Sequence, residues 1–131
     1  MFGRKKQPPI RTLVGEGTVI RGEIRFAEGL RIDGEVQGDV LATGEGASIL
    51  VISEQGRVAG RIRGDHVIIN GHVTGPVHSD ELLELQPKAV IVGDLQYGVL
   101  EMHQGAMIDG EIRPLKGDEK PALKLAASNA G

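Results

Sequence analysis

The 131-residue chain has no cysteine and no tryptophan, one tyrosine (Tyr97) and two phenylalanines (Phe2 and Phe26). Without thiols it forms neither disulfides nor thiolate metal sites. Without aromatics its core must be thin and made of Val, Ile and Leu, and little is left to stack on nucleic-acid bases. Long apolar runs are missing as well: no stretch approaches the roughly 18 residues of a membrane span, and no charged-then-apolar leader opens the sequence. A phosphate loop is also lacking. The pairs Gly15-Glu16-Gly17 and Gly44-Glu45-Gly46 lead to no third glycine, and no Gly-Lys-Ser/Thr exists, so neither nucleotide nor any other cofactor is expected.

Glycine, by contrast, is plentiful: 20 of 131 residues, about twice the usual share of roughly 7%. A five-residue unit, a glycine with an aliphatic residue two positions to either side, recurs about once per repeat, six times from Gly22 to Gly110. The copies are Ile20-Arg21-Gly22-Glu23-Ile24, Val36-Gln37-Gly38-Asp39-Val40, Val58-Ala59-Gly60-Arg61-Ile62, Val73-Thr74-Gly75-Pro76-Val77, Ile91-Val92-Gly93-Asp94-Leu95 and Ile108-Asp109-Gly110-Glu111-Ile112. Their spacings are 16, 22, 15, 18 and 17. A repeat of this length signals a solenoid, whose units cannot bury their own face and must stack on neighbours. Between the glycine units lie further apolar pairs, Leu30/Ile32, Ile49/Val51, Val67/Ile69, Leu83/Leu85 and Leu100/Met102. Each repeat therefore supplies at least two short strands with alternating side chains, and no stretch from 13 to 113 carries a helical stripe. Corners every five or six residues, closing after about eighteen, make a parallel β-helix, with glycine where a Cβ would crowd the core or forbid the backbone angle. At about 4.8 Å per coil, six coils make a rod on the order of 30 Å long. The long interval holds Ala42–Ser48, expected to bulge as a loop.

Net charge is −3, but it is unevenly spread. Residues 1–12 carry +4 with no acid, residues 13–113 carry −8, and residues 114–131 carry +1. An acidic body argues against wrapping nucleic acid. The expected organisation is a flexible N-terminal tail over 1–12, a single all-β solenoid domain over 13–115, and a disordered C-terminal tail over 116–131, rich in Ala, Lys, Asp and Pro.

The glycine–acid–aliphatic repeats, the doubled units Ile32-Asp33-Gly34-Glu35-Val36-Gln37-Gly38-Asp39-Val40 and Ile69-Asn70-Gly71-His72-Val73-Thr74-Gly75-Pro76-Val77, and the closing Gly105-Ala106-Met107-Ile108-Asp109-Gly110-Glu111-Ile112 resemble the bactofilins over roughly 13–113. The opening Met1-Phe2-Gly3-Arg4-Lys5-Lys6 resembles the membrane-targeting tails of many members. The resemblance implies a right-handed β-helix that polymerises end to end into non-polar filaments without nucleotide. It further implies a bacterial cytoskeletal scaffold, cytoplasmic at the inner face of the membrane, that positions cell-wall enzymes or other cell-envelope proteins. Arg61 and Pro76 stand where the pattern usually has an acid, and the 42–48 loop is longer than the commoner spacing.

The unpaired edges of a solenoid's end coils are where a second subunit can add strands. Like-with-like contact at each end gives a filament with no polarity. The residues expected at these contacts are Leu13, Val14, Val19 and Ile20 at one end and Met107, Ile108, Ile112 and Leu115 at the other. In the N-terminal tail, Met1 and Phe2 would insert into lipid while Arg4, Lys5 and Lys6 face anionic headgroups, each cation adding about 1 kcal/mol. One such tail binds marginally, and many copies on a filament bind strongly.

Two chemical readings carry less weight. His66, His72 and His78 are spaced six apart, which puts them on different walls of an eighteen-residue coil, so no metal site is expected from them. Glu23, Asp39, Asp94 and Glu111 form a row after the glycines, but stacked like charges repel and Arg61 and Pro76 interrupt the row, so no catalytic residue is assigned. Two alternatives to a scaffold are a monomeric β-helix adaptor and an acyltransferase on a left-handed hexapeptide β-helix. The second needs an aliphatic residue at every sixth position, and intervals of 16, 22, 15 and 17 do not keep that step.

Overall fold

In a computed structural model, residues 8–115 are described, together with the backbone of 123–125. The expected membrane-targeting residues Met1, Phe2, Arg4, Lys5 and Lys6 lie outside the described residues.

The described chain is all-β, wound as a parallel solenoid of about six coils with three walls. Wall A stacks β1 (Ile10–Val14), β4 (Glu28–Ile32), β7 (Ser48–Ile52) and the second halves of β9 (Ile62–Ile69), β11 (Val77–Leu85) and β13 (Leu95–Met102). Wall B stacks β2 (Val19–Arg21), β5 (Glu35–Gln37), β8 (Arg57–Ala59), β10 (His72–Thr74), β12 (Val90–Val92) and β14 (Met107–Asp109). Wall C stacks β3 (Ile24–Phe26), β6 (Val40–Ala42), the first halves of β9, β11 and β13, and β15 (Ile112–Pro114). The three long strands turn the corner from wall C to wall A without breaking. The sequence shows two strands per coil clearly, and the third wall emerges from this bend.

Stacking aligns one residue per coil into columns. Wall B points Ile20, Val36, Val58, Val73, Ile91 and Ile108 inward. Wall C does the same with Ile24, Val40, Ile62, Val77, Leu95 and Ile112. Wall A contributes Leu30, Leu50, Val67, Leu83 and Leu100 beside Val14, Ile32, Ile52, Ile69 and Leu85. The core is these aliphatic columns, with Phe26 and Tyr97 as its aromatic members. Gly64 lies beside Phe26: a Cβ there would stand 3.9 Å from its ring, an ordinary contact. The pair Ile49/Val51 needs correcting: Leu50 and Ile52 are the inward residues, fully buried, while Val51 faces outward and is half-buried. Ile49-Leu50-Val51-Ile52 is a continuous apolar run, so alternation alone does not fix its parity.

The corner from wall B to wall C is the glycine column. A Cβ at Gly38, Gly60, Gly75, Gly93 or Gly110 would lie closer than 3.0 Å to the carbonyl oxygen of the glycine one coil earlier. The crowding is therefore along the axis, from coil to coil, rather than in the core. Strand β6 ends at Ala42 and β7 begins at Ser48, so the expected bulge is present, with Gly44 and Gly46 at positive φ. Its return is tied down by Asp65, whose Oδ2 accepts the Ser48 N–H at 3.1 Å while its own N–H donates to Ser48 Oγ at 3.0 Å. Buried Ser79 donates its hydroxyl to the Asp65 carbonyl at 2.8 Å.

Of the 116–131 stretch expected to lack order, Leu123–Leu125 forms a strand, β16, paired in parallel with β13. The rest of that stretch lies outside the described residues.

Candidate functional site

The two ends of the rod differ from its middle. In the four middle coils the inward residues of walls B and C are 0–3% exposed. At the first coil Ile20 and Ile24 are only half-buried, and at the last Ile108 is half-buried and Ile112 is 44% exposed. Nothing about the side chains changes along these columns; the terminal members simply have a neighbouring coil on one side. Seven large apolar residues are exposed among the described residues: Ile10, Leu13, Val19, Val92, Met107, Ile112 and Leu115. Six of them belong to the first or last coil, and Val92 alone sits elsewhere.

The eight expected interface residues separate into four kinds. Ile20, Ile108 and Ile112 lie on the end faces, as the terminal members of inward columns. Leu13, Val19 and Met107 are exposed beside the ends, on the outward side of their walls, since the residues next to them in each strand are the inward ones. Leu115 follows β15, is 37% exposed, and donates its N–H to the Tyr97 carbonyl at 2.8 Å. Val14, at 6% exposure, is already a core residue. Ile24 belongs with the end-face group and was not anticipated, although it closes the same glycine unit that Ile20 opens. Met102 and Ala106 are partly buried at the opposite end.

Backbone edges accompany these apolar faces. At the N-terminal end the outermost rungs are β1, β2 and β3, and at the C-terminal end walls B and C finish on β14 and β15. Among the described residues no further strand pairs with the outer edge of any of these, and open edges of this kind template strand addition.

The carboxylate row has a structural explanation. Asp39 Oδ1 accepts the Arg61 N–H at 2.9 Å, and Asp94 Oδ1 accepts the Glu111 N–H at 3.0 Å, each bridging to the next coil at the glycine corner. Glu23 pairs with Arg25 and Glu111 with Arg113. Arg61 offers no acceptor to the following coil, but there the residue is Pro76, which has no N–H to satisfy. The two departures from the pattern compensate each other.

His66, His72 and His78 stand on walls A, B and C respectively. His78 hydrogen-bonds Gln96 and Asp80 at 3.2 and 2.9 Å. A different set converges: Glu84, Glu101 and His103 bring one ligand atom each within 4.8 Å of one another, with His103 Nε2 at 3.2 Å from Glu84 Oε2. Glu84 and Glu101 are register partners on adjacent coils, so their separation of 17 residues, one repeat, carries the only sequence signal for this cluster. Nearby His66 is held below its ordinary pKa by burial, against the opposing pull of Glu84, Glu101 and Glu81. On wall C, Arg61, Arg63, His78, Gln96 and Arg113 line an open groove of about 410 Å³, where Arg63 is 3.6 Å from Asp80.

No helix among the described residues is long and apolar enough to cross a membrane. The family model for bactofilins, described as polymer-forming cytoskeletal, matches residues 12–113. Bactofilin BacO of Myxococcus xanthus is 30% identical over 111 residues, spanning 85% of this chain and 85% of that protein. Bactofilin BacP of the same organism is 26% identical over 110 residues, spanning 84% of this chain and 43% of that protein. No solved structure matches the chain. The chain belongs to the bactofilin family of polymer-forming cytoskeletal proteins.

Proposed function

We propose that this chain is a scaffold subunit that assembles end to end, without nucleotide, into filaments of no polarity on the inner face of the cell membrane. The observation that carries the reading is the location of the apolar exposure. Among the described residues, six of the seven exposed large apolar residues lie in the first and last coils, beside strand edges that no other described strand covers. In this reading like meets like: the face around Ile20 and Ile24 packs on its twofold copy, and the face around Ile108 and Ile112 on its own. Two such isologous contacts alternate along a line and cancel polarity. Strand addition and apolar burial supply the free energy, and the sequence has no phosphate-binding loop to couple assembly to a nucleotide.

Attachment is assigned to Met1 and Phe2, with Arg4, Lys5 and Lys6 against anionic lipid. A tail this short holds one subunit weakly and a filament firmly, so membrane binding follows assembly. In this role the filament presents its walls to cell-wall enzymes or other cell-envelope proteins and has no catalytic part in their chemistry.

Negative-stain electron microscopy of the full chain without nucleotide tests the assembly. Long thin filaments are the expected result, and monomers that persist across salt and concentration would defeat it. Co-sedimentation with anionic vesicles tests the tail: Phe2→Ser with Lys5→Glu is expected to leave filaments intact and release them from lipid.

A further inference from the structure

We propose that Leu123–Leu125 is a detachable seventh rung of wall A, which competes with a second copy of the chain for the C-terminal end; the inference rests on the end-to-end reading above. Leu123, Lys124 and Leu125 pair with Leu100, Glu101 and Met102. In sequence the three are apolar, polar and apolar, and their register sets them opposite residues of the same pattern, Leu100, Glu101 and Met102. With β16 in place wall A has seven rungs, whereas walls B and C have six among the described residues. The C-terminal end is therefore stepped. A strand edge pairs with one neighbour at a time, so the β13 edge at Leu100–Met102 is closed to a second subunit while β16 occupies it.

The hold of this rung is weak by construction. It is three residues long, and a parallel pairing of that length makes few hydrogen bonds. Nine sequence positions separate Leu123 from Pro114, where the preceding coil spans the same corner from Tyr97 to Leu100 in three. The extra chain raises the closure cost modestly. The same corner also carries the 42–48 loop, with eight positions between Ala42 and Leu50. A whole second coil offers pairing on all three walls and outcompetes a three-residue strand once the subunit concentration is high enough. The rung therefore sets a threshold: it covers the edge in dilute monomer and yields in the polymer.

The test uses the full chain with Leu123→Asp and Leu125→Asp together, which alters no residue of the solenoid from Ile10 to Leu115. If β16 occupies the edge about nine-tenths of the time, releasing it lowers the critical concentration about tenfold, because apparent affinity scales with the competent fraction. An unchanged or raised critical concentration overturns the proposal. The converse variant joins Glu101→Cys to Lys124→Cys, register partners in a chain with no other cysteine. Oxidation is expected to stop growth at the C-terminal end and leave dimers joined at the other end, with filaments restored by reductant. Filaments from the oxidised protein also overturn it. If the wild-type chain itself never assembles, the end-to-end reading fails first. Wild-type filaments with thresholds that neither variant moves defeat this inference alone.

Discussion

At Gly75 a methyl group would have nowhere to go. The residue sits at φ +140°, and its Cβ would be driven closer than 3.0 Å to the Gly60 carbonyl, a rigid neighbour held in the coil ladder. Gly75→Ala is expected to cost about 3 kcal/mol, the sum of an unfavourable backbone angle and a coil that must shift. Gly22, at φ +130° in the first coil, has open space where its Cβ would stand. Gly22→Ala should therefore cost only the angle, on the order of 1 to 2 kcal/mol, and urea midpoints of the two variants would show the difference. His66 gives a second prediction at this scale. Its register partners Ile49 and Leu82 are apolar, and burial holds its pKa below the ordinary 6.5. Between the unfolded and folded values the unfolded chain binds the extra proton, so stability is fully present above pH 6.5 and declines as pH falls toward the folded value. The melting temperature should drop between pH 7.5 and 5.5, and His66→Leu should flatten that slope in differential scanning fluorimetry.

Among the elements, the corner from wall C to wall A varies most in length. Removing Gly44, Glu45 and Gly46 shortens an exposed loop whose residues contribute no column, so circular dichroism and melting should change little. Asp65→Ala acts on the same corner with a different outcome: it strips the Ser48 N–H of its acceptor and is expected to cost about 1 to 2 kcal/mol. Much of this element plan was legible in the sequence. The six glycine units give the B-to-C corner, the number of coils and the inward pairs that flank it, because a stacked repeat must return the same residue type to the same place. Legibility failed where the signal is degenerate. Ile49-Leu50-Val51-Ile52 is apolar on both faces and hides its parity. The third wall is read only once β9, β11 and β13 are seen to bend without breaking. Glu84, Glu101 and His103 meet through the stack, while the evenly spaced His66, His72 and His78 end on three walls. Three of the expected interface residues, Leu13, Val19 and Met107, are apolar members of end coils that face sideways, a distinction that requires the register.

At the scale of the whole molecule, the rod has two different ends and one continuous core between them. A charge placed in the interior would disrupt folding, but Ile24 and Ile112 sit at opposite terminal positions of one column on wall C, where an arginine side chain can reach solvent in the monomer. If each end meets its own kind, Ile112→Arg blocks one contact and leaves the other. The expected product is a discrete dimer joined through the faces around Ile20 and Ile24, not a shortened filament. Ile24→Arg should give a dimer of the opposite geometry, and the double variant a monomer. Mixing the two single variants would then yield only the two dimers, because neither retained face binds the other. A head-to-tail polymer behaves differently: each single variant alone would be monomeric, and the mixture would form heterodimers through the one intact pair of faces. Val92→Arg, exposed at 47% on wall B away from both ends, is the control that should leave filaments unchanged. Sedimentation-velocity runs on the single variants, the double variant and the mixture therefore decide polarity without an image of a filament, because a dimer from either single variant is incompatible with head-to-tail growth.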